Sequence, residues 1–388
     1  MLAKRGLSPH LEPYFDRRAL GGTALEGICR HDGTFFDHYD TAETHRLDLP
    51  TTPYGYSDDE LASMRERYGS EIVIDPPYVC ELSHVELVGP HAVPIRDGGY
   101  VYENALESTP RLTLGCLSAL ARGTLPVESR FRRPTRTAQP LVSLVGPWTH
   151  NYTHWFQDYL ARLEGLEHYE RETGVEPDLL VPADTSGWMR DGLRAMGYGP
   201  DRWIEWHGGR LQVDRFIVPS VRREAAERAN DRRLLYSPTE FRWIRDRVTD
   251  NIEPERTRPH SPRIYISRND ATVRRVTNED ATMALLSEYG FERYRLADLS
   301  YAEQVTLFSD AEAIVSPHGS GLLNQIYTDD AAVIELFGPK HAVTNPAIEY
   351  YIADLWGHDY GCVQCEAMGC DTRVDLDGLE ILLERMLD

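Results

Sequence analysis

The chain has 388 residues, more than one ordinary domain holds, and its 41% hydrophobic and 27% charged content suits a buried core rather than disorder. Acidic residues number 62 against 41 basic, a formal net charge of −21, which argues against nucleic acid as the main partner. No apolar run reaches the roughly 20 residues that cross a bilayer, and the opening MLAKRGLSPHLEPYFDRR has no apolar signal block, so a soluble, cytoplasmic protein is expected.

Residues 1–135 are rich in Pro, Gly, Tyr and His, with short alternating runs such as YVCELSHVELVG (78–89); they read as an irregular, strand-containing N-terminal region. From Pro140 strands and helices alternate. LVSLVG (141–146) reads as a buried strand, Asn151 to about Tyr169 as a helix, DLLVP (178–182) as a strand, SGWMRDGLRAMG (186–197) as a helix and RFIVP (215–219) as a strand. This is an α/β unit with a parallel sheet, placed at 136–235. The polar, arginine-rich stretch from about Ser220 to Pro262 carries the inter-domain connection and one amphipathic helix near TEFRWIRDRV (239–248).

A second α/β unit is placed at 236–345. Its strands are RIYIS (263–267), FERYRL (291–296), AIVSP (313–317) and AAVIELF (331–337). Its helices are NEDATMALLSEYG (278–290), closing on a C-cap glycine, YAEQVTLFSDA (301–311), and one beginning near Gly321. The tail, 346–388, is helical at IEYYIADLWG (348–357) and LDGLEILLERML (376–387) around a short cysteine-bearing segment. Two doubly wound units facing a cleft suit a ligand with two halves.

Lys4 and Lys340 are the only lysines, so nearly all positive charge is guanidinium. Many carboxylates with almost no lysine resemble a salt-adapted archaeal composition, and a GC-rich coding bias produces the same pattern. Six cysteines are too sparse for a disulfide scaffold; Cys29, Cys80 and Cys116 read as small buried hydrophobes. Cys362, Cys365 and Cys370 with His358 spell a three-cysteine, one-histidine zinc set, but LWGHDYGCV reads as a helix end running into a strand, and packing is the favoured role of its bulky and small residues. The sequence leaves that choice open.

Three segments carry chemistry. In SPHGSGLLN (Ser316 to Asn324) a buried strand ends at Pro317, and His318-Gly319-Ser320-Gly321 turns into a helix start whose unpaired amides suit a phosphate; a plain β-to-α turn with His318 and Ser320 as caps is the rival reading. In RIYISRNDATVRRVTNED (Arg263 to Asp280) the strand delivers Ser267 and Arg268 at its carboxyl end, and Arg274 and Arg275 follow in the loop. Arginines flanking such a loop can grip phosphate oxygens bidentately, although in this arginine-heavy chain they also suit surface ion pairs. In WTHNYTHWFQDYLARL (Trp148 to Leu163) His154 and Asp158 are four apart on one helix face, with His150 and Asn151 at its start. His154 is the favoured base toward an acceptor hydroxyl, with Asp158 orienting it or acting in its place.

Together these segments resemble glycosyltransferase family 61. The carriers are NYTHWFQDYLARL (151–163), RIYISRNDATVRRVTNED (263–280), the GFE turn (290–292), EQVTLF (303–308), IVSPHGSGLLN (314–324), VIELF (333–337), and the closing YYIADLWGHDY and VDLDGLEILL. The family often has alanine where this chain has Ser320, and residues 1–135 match poorly. The resemblance implies a GT-B fold of two Rossmann-like domains facing a cleft, with the C-terminal helices crossing back to the first. It implies inverting transfer of a sugar from a nucleotide sugar to a glycan or lipid-linked glycan hydroxyl, with no required metal or other cofactor. Carried onto this chain, Arg268 and Arg275 bind the donor diphosphate, His318, Gly319, Ser320 and Gly321 hold it at the helix start, and Asn324 and Glu335 lie near the nucleoside. The work would then fall in the cytoplasm, including the cytoplasmic membrane face.

The residues agree with that chemistry. Fixed cations and a helix N-terminus stabilise the charge growing on a leaving diphosphate. Asp375-Leu376-Asp377 has the spelling of a metal-binding pair but sits where carboxylates cap the last helix. Two rivals remain. One is a hydrolase using Ser320 and His318, weakened because the nucleophile-elbow pattern needs glycine where His318 stands. The other is a non-catalytic nucleotide-sugar or glycan-binding protein.

Overall fold

The computed structural model describes residues 19–46, 58–59, 62, 71–105, 135–223, 237–257, 259–338 and 348–387. Lys4, Cys116 and Lys340 lie outside them. The chain divides into two compact units, Met1–Glu43 with Ile74–Arg232 and Thr44–Val73 with Arg233–Asp388.

The first unit is built on a ten-stranded mixed sheet. In chain order its elements are β1 (Ala19–Leu20), α1 (Gly22–Asp32), β2 (Phe36–His38), β3 (Tyr78–Val88), β4 (Val93–Arg96), β5 (Gly99–Val101), β6 (Thr135–Thr137) and β7 (Leu141–Ser143). A long helix follows in three pieces: an α turn Tyr152–His154, a π-helical stretch Trp155–Leu160, and α2 (Arg162–Thr173). Then come β8 (Asp178–Pro182), α3 (Gly187–Ala195), β9 (Trp203–Trp206) and β10 (Arg210–Pro219). The strand order is β1-β5-β4-β3-β10-β7-β8-β9, with β2 also on β3 and β6 also on β10.

Strands β7, β8 and β9 are parallel, as the alternation of strand and helix requires. Strand β10 is parallel to β7 but antiparallel to β3, from Arg210 opposite Val88 to Pro219 opposite Val79. The N-terminal region expected at 1–135 and the domain expected at 136–235 therefore share one sheet across their described residues. The reason is long-range: β3 and β10 bury Cys80, Leu82, Val213 and Phe216 in one core, a pairing no local pattern announces. Cys29 and Cys80 are buried, in keeping with their reading as small hydrophobes.

The second unit holds a five-stranded parallel sheet. Its elements are α4 (Pro238–Asn251), β11 (Arg263–Ile266), α5 (Glu279–Glu288), β12 (Glu292–Tyr294), α6 (Tyr301–Ser309), β13 (Ala313–Pro317), a 3-10 helix Ser320–Tyr327, β14 (Ala332–Phe337), α7 (Ile348–Trp356), β15 (Asp359–Gln364) and α8 (Leu376–Leu387). A small hairpin, Glu366–Met368 with Asp371–Arg373, lies between the last two. Every residue of β13 and β14 is buried, which explains their unbroken apolar runs: a sheet covered on both faces has no polar side. The order β12-β11-β13-β14-β15 is that of a doubly wound sheet, whose direction of growth reverses between β11 and β13.

The tail contributes β15 to this sheet. Leu379, Leu382 and Leu383 of α8 sit in one core with Val315, Ile334 and Val363, so the helix buries its apolar stripe in the second unit. The Gly378 amide donates to Asp375 Oδ1 at 3.3 Å, the capping role read for that carboxylate. The molecule is thus an α/β protein with one mixed and one parallel sheet, consistent with a GT-B-like architecture. Among the described residues no helix is long and apolar enough to cross a membrane.

Candidate active site

In the second unit the chemistry gathers where β11 and β13 part, the edge at which such sheets take ligands. Strand β11 delivers Ser267 and Arg268, and β13 delivers His318 and Gly319. The Arg268 guanidinium lies against Gly319 so closely that a Cβ there would overlap it. Gly319 has extended backbone (φ 167°), so the glycine serves this close approach rather than an unusual dihedral. Across the loop Arg274 sits in left-handed backbone, φ 59°, and its amide donates to the Cys370 carbonyl at 2.7 Å.

Among the described residues neither Arg268 nor Arg274 has a carboxylate within ion-pair distance, and Arg268 Nε is buried without a partner. Burial, then the charge of Arg274, pushes Arg268 down to about 10. Burial likewise lowers Arg274. Burial disfavours both cations and Arg274 repels Arg268, while the Glu349 and Glu335 charges favour Arg274.

The remaining residues take different parts. His318 Nδ1–H donates to Glu335 Oε1 at 2.5 Å; that carboxylate is 1% exposed and also accepts from the Tyr360 hydroxyl. Ser320 and Gly321 open the 3-10 helix, Gly321 against Leu296 and Ile266. Ser267 donates to Glu279 Oε1 at 2.5 Å and so fastens the start of α5. Asn324 is buried and donates to Gln304 Oε1 at 3.2 Å, toward α6. Arg275 is exposed and grips Asp371 with Nε at 3.1 Å and Nη2 at 2.7 Å.

The structure therefore brings Arg268, His318 and Gly319 together with Ser320 and Gly321, and places Ser267, Asn324 and Arg275 in supporting bonds. Selecting Arg275 from the sequence passed over Arg274, Glu349 and Tyr360. Glu349 is buried, and burial followed by the nearby Glu335 charge raises its carboxyl well above the usual range. Adjacent arginines in a loop give no pattern signal for which one turns inward.

The first unit holds the histidine site. Asn151 caps the helical turn by accepting from the His154 amide at 3.3 Å, and Trp148 stacks on the His154 ring at 5.3 Å between centroids. Four residues on, Asp158 Oδ2 lies 2.6 Å from His154 Nδ1. The carboxylate is 5% exposed and the imidazole 23%. Burial raises the Asp158 pKa, but the His154 hydrogen bond and charge outweigh it and hold the carboxyl below its ordinary value. Asp158 is thus ionised, Nδ1–H donates to it, and Nε2 is the basic nitrogen.

The support beneath this pair is an arginine. Buried Arg162 donates from Nε to the Asp158 carbonyl at 2.7 Å and from Nη2 to the Glu103 carbonyl at 2.6 Å. Asp158 lies within the π-helical stretch, a local irregularity common at functional positions. His150 is exposed, 3.3 Å from Asp184. The cysteine-rich tail is arranged otherwise than a zinc set: His358 Nε2 meets the Gln325 carbonyl at 3.2 Å, Cys365 donates to the Val363 carbonyl at 3.4 Å, and Cys370 is exposed. Among the described residues no group of three or more His, Cys, Asp or Glu is placed to hold a metal.

Fold and site define an α/β protein whose parallel sheet presents an anion-receptive edge. The family model described as Glycosyltransferase 61 matches residues 152–334, from Tyr152 beside His154 to Ile334 in β14. The match covers a little under half of the chain and marks that segment as similar to the family. It takes in His154, Asp158, Arg268, Arg274, Arg275 and the His318–Gly321 turn, and stops one residue short of Glu335. No curated protein matches the chain.

Proposed function

We propose that this chain transfers a sugar from a nucleotide-sugar donor to an acceptor hydroxyl in a single displacement with inversion. The observation that carries the reading is the pair of half-buried arginines, Arg268 and Arg274, at the β11–β13 divergence. They bind the donor diphosphate, with the amides opening the 3-10 helix beside them, His318 held by Glu335 at the same edge, and Arg275 securing the loop. As the anomeric C–O bond breaks, its electrons pass to the diphosphate, and the arginine charges stabilise that oxygen as a divalent ion does elsewhere. The acceptor oxygen attacks the anomeric carbon and its proton passes to His154 Nε2, with Asp158 holding the imidazolium.

The acceptor is a glycan or lipid-linked glycan, which places the enzyme in the cytoplasm or at the cytoplasmic membrane face. His150 and Asn151 lie on the acceptor side of the helix start. The acidic, lysine-poor surface belongs with work in concentrated salt.

The test is a panel of nucleoside diphosphates and nucleotide sugars, with and without chelator, scored by thermal stabilisation, donor hydrolysis and transfer. A nucleoside diphosphate at a hundredfold its Kd is expected to stabilise the protein by about 2.7 kcal/mol, chelator or not, and Arg268→Gln to remove most of that effect. If no member of the panel stabilises or is cleaved, the proposal is overturned. Stabilisation without cleavage or transfer would leave a binding protein.

A further inference from the structure

The first unit contains a cavity of about 340 Å³ outside the sites described so far. Its walls combine residues of α1, β2 and the start of β3 with Tyr102 and Glu103, all before the segment that the family model matches, and Ser220, Val221 and Arg223 within it. One wall is aromatic. Phe36 and Tyr78 stack at 5.3 Å with their planes 16° apart, and His38 stands edge-on to both. Tyr102 completes the wall, beneath the Arg223 guanidinium.

The polar groups are of two kinds. The first turn of α1, at Gly21-Gly22-Thr23, enters the lining with no side-chain cap on its amides. Of the cavity's three carboxylates, Glu26 is paired with Arg30 at 2.6 Å and Glu103 with Arg223 at 3.0 Å, which leaves the charge of Asp75 in the lining.

That charge balance repels an anion, and among the described residues no acidic cluster is placed to hold a metal. An uncharged polyol fits every part. Its hydroxyls donate to the carboxylates and accept from the α1 amides, and its C–H faces pack on the aromatic wall. The volume sits at the low end of the roughly 300–1,000 Å³ of small-ligand sites, suited to a short saccharide.

One further contact gives the cavity its relation to the chemistry. The backbone of Glu103, in its wall, and the backbone of Asp158 accept hydrogen bonds from the same side chain, Arg162. A sugar seated here is therefore one arginine away from the helix that carries His154. We infer that this cavity is a saccharide-binding subsite that anchors the acceptor glycan by neutral sugar units next to its reacting end. Its assignment to the acceptor rests on the transferase reading above; sugar binding itself does not.

The test uses the full chain and a set of neutral glucose-, galactose- and mannose-containing disaccharides, with binding measured directly by NMR in the absence of donor. At least one is expected to bind, and Thr23→Trp, which fills the mouth from the first turn of α1, to weaken it at least about tenfold. Folding of the variant is checked by a cooperative melt. Glu26→Gln, a near-isosteric change, carries the test if the tryptophan variant does not fold; a several-fold weakening is expected. In transfer assays KM for the acceptor rises by a similar factor in each variant. The subsite is overturned if no disaccharide binds at tens of millimolar, if binding is unaltered in both variants, or if inorganic phosphate or Mg²⁺ takes the site instead. Disaccharide binding that follows the variants, in a protein that ignores every nucleoside diphosphate, would sustain the subsite and sink the transferase reading alone.

Discussion

A histidine acts as a base only when one nitrogen is held and the other stays basic, and Asp158 does the holding for His154. Asp158→Asn offers an amide N–H in place of an acceptor and turns the imidazole toward the wrong tautomer. Turnover is expected to fall by roughly 10²–10⁴ with donor KM little changed, and His154→Ala to fall similarly. Steady-state kinetics of both variants check this; an Asp158→Asn enzyme within about tenfold of the parent would place the base elsewhere. The same carboxylate has a pH signature. Its pKa lies below the ordinary 3.8, so its contribution to stability is present above that pH and is lost as pH falls through the folded value. Thermal melts of parent and Asp158→Asn should therefore converge on acidification below about pH 4.

The loop between β11 and α5 shows how an element selects among like residues. It is zipped to the 366–373 hairpin by Thr277 N to Thr372 O at 2.8 Å and Thr372 N to Arg275 O at 2.9 Å, with Arg275 and Asp371 outside. That zipper leaves Arg274 half-buried, where its charge acts on Arg268. Exposed ion pairs contribute little, so Arg275→Ala is expected to change nucleoside diphosphate affinity by about fivefold or less. Arg274→Gln removes a charge-assisted contact and should weaken it by about 10- to 100-fold. Without ligand the Arg274→Gln protein loses both the burial cost of a half-buried cation and its attraction to Glu349 and Glu335, so it should melt close to the parent. Calorimetric titration and ligand-free melts test both; equal losses in the two variants would return the phosphate contact to Arg275.

With a net charge of −21, the molecule as a body is self-repelling in dilute buffer. Screening shortens from about 10 Å at 0.1 M to about 3 Å at 1 M salt, which relieves repulsion between surface carboxylates. The buried ion network is insulated from that screening: Arg222, 2% exposed, joins Asp40 and Glu164 at 2.8 Å and Glu43 at 3.1 Å. Repulsion is therefore the salt-sensitive part, and the melting temperature is expected to rise from 0.1 M toward molar KCl, on the order of several degrees. A melt that falls with KCl would show that surface ion pairs outweigh the repulsion.

Much of this was legible in the chain itself, for a physical reason. Apolar periodicity marks strand and helix within some ten residues, so the β/α order of the second unit, from RIYIS to AAVIELF, stands in the structure as read. The glycine turn after β13 and the four-residue spacing of His154 and Asp158 are equally local, and each brings its residues together as the spacing demands. Other features depend on partners far away in sequence: the antiparallel seam of β3 with β10, the burial of α8 in the second core, and the hairpin that turns Arg274 inward. Arg162 joining Glu103 to Asp158 spans 59 residues by one bond. Periodicity carries no information about such pairings, because only the folded chain sets which surfaces meet.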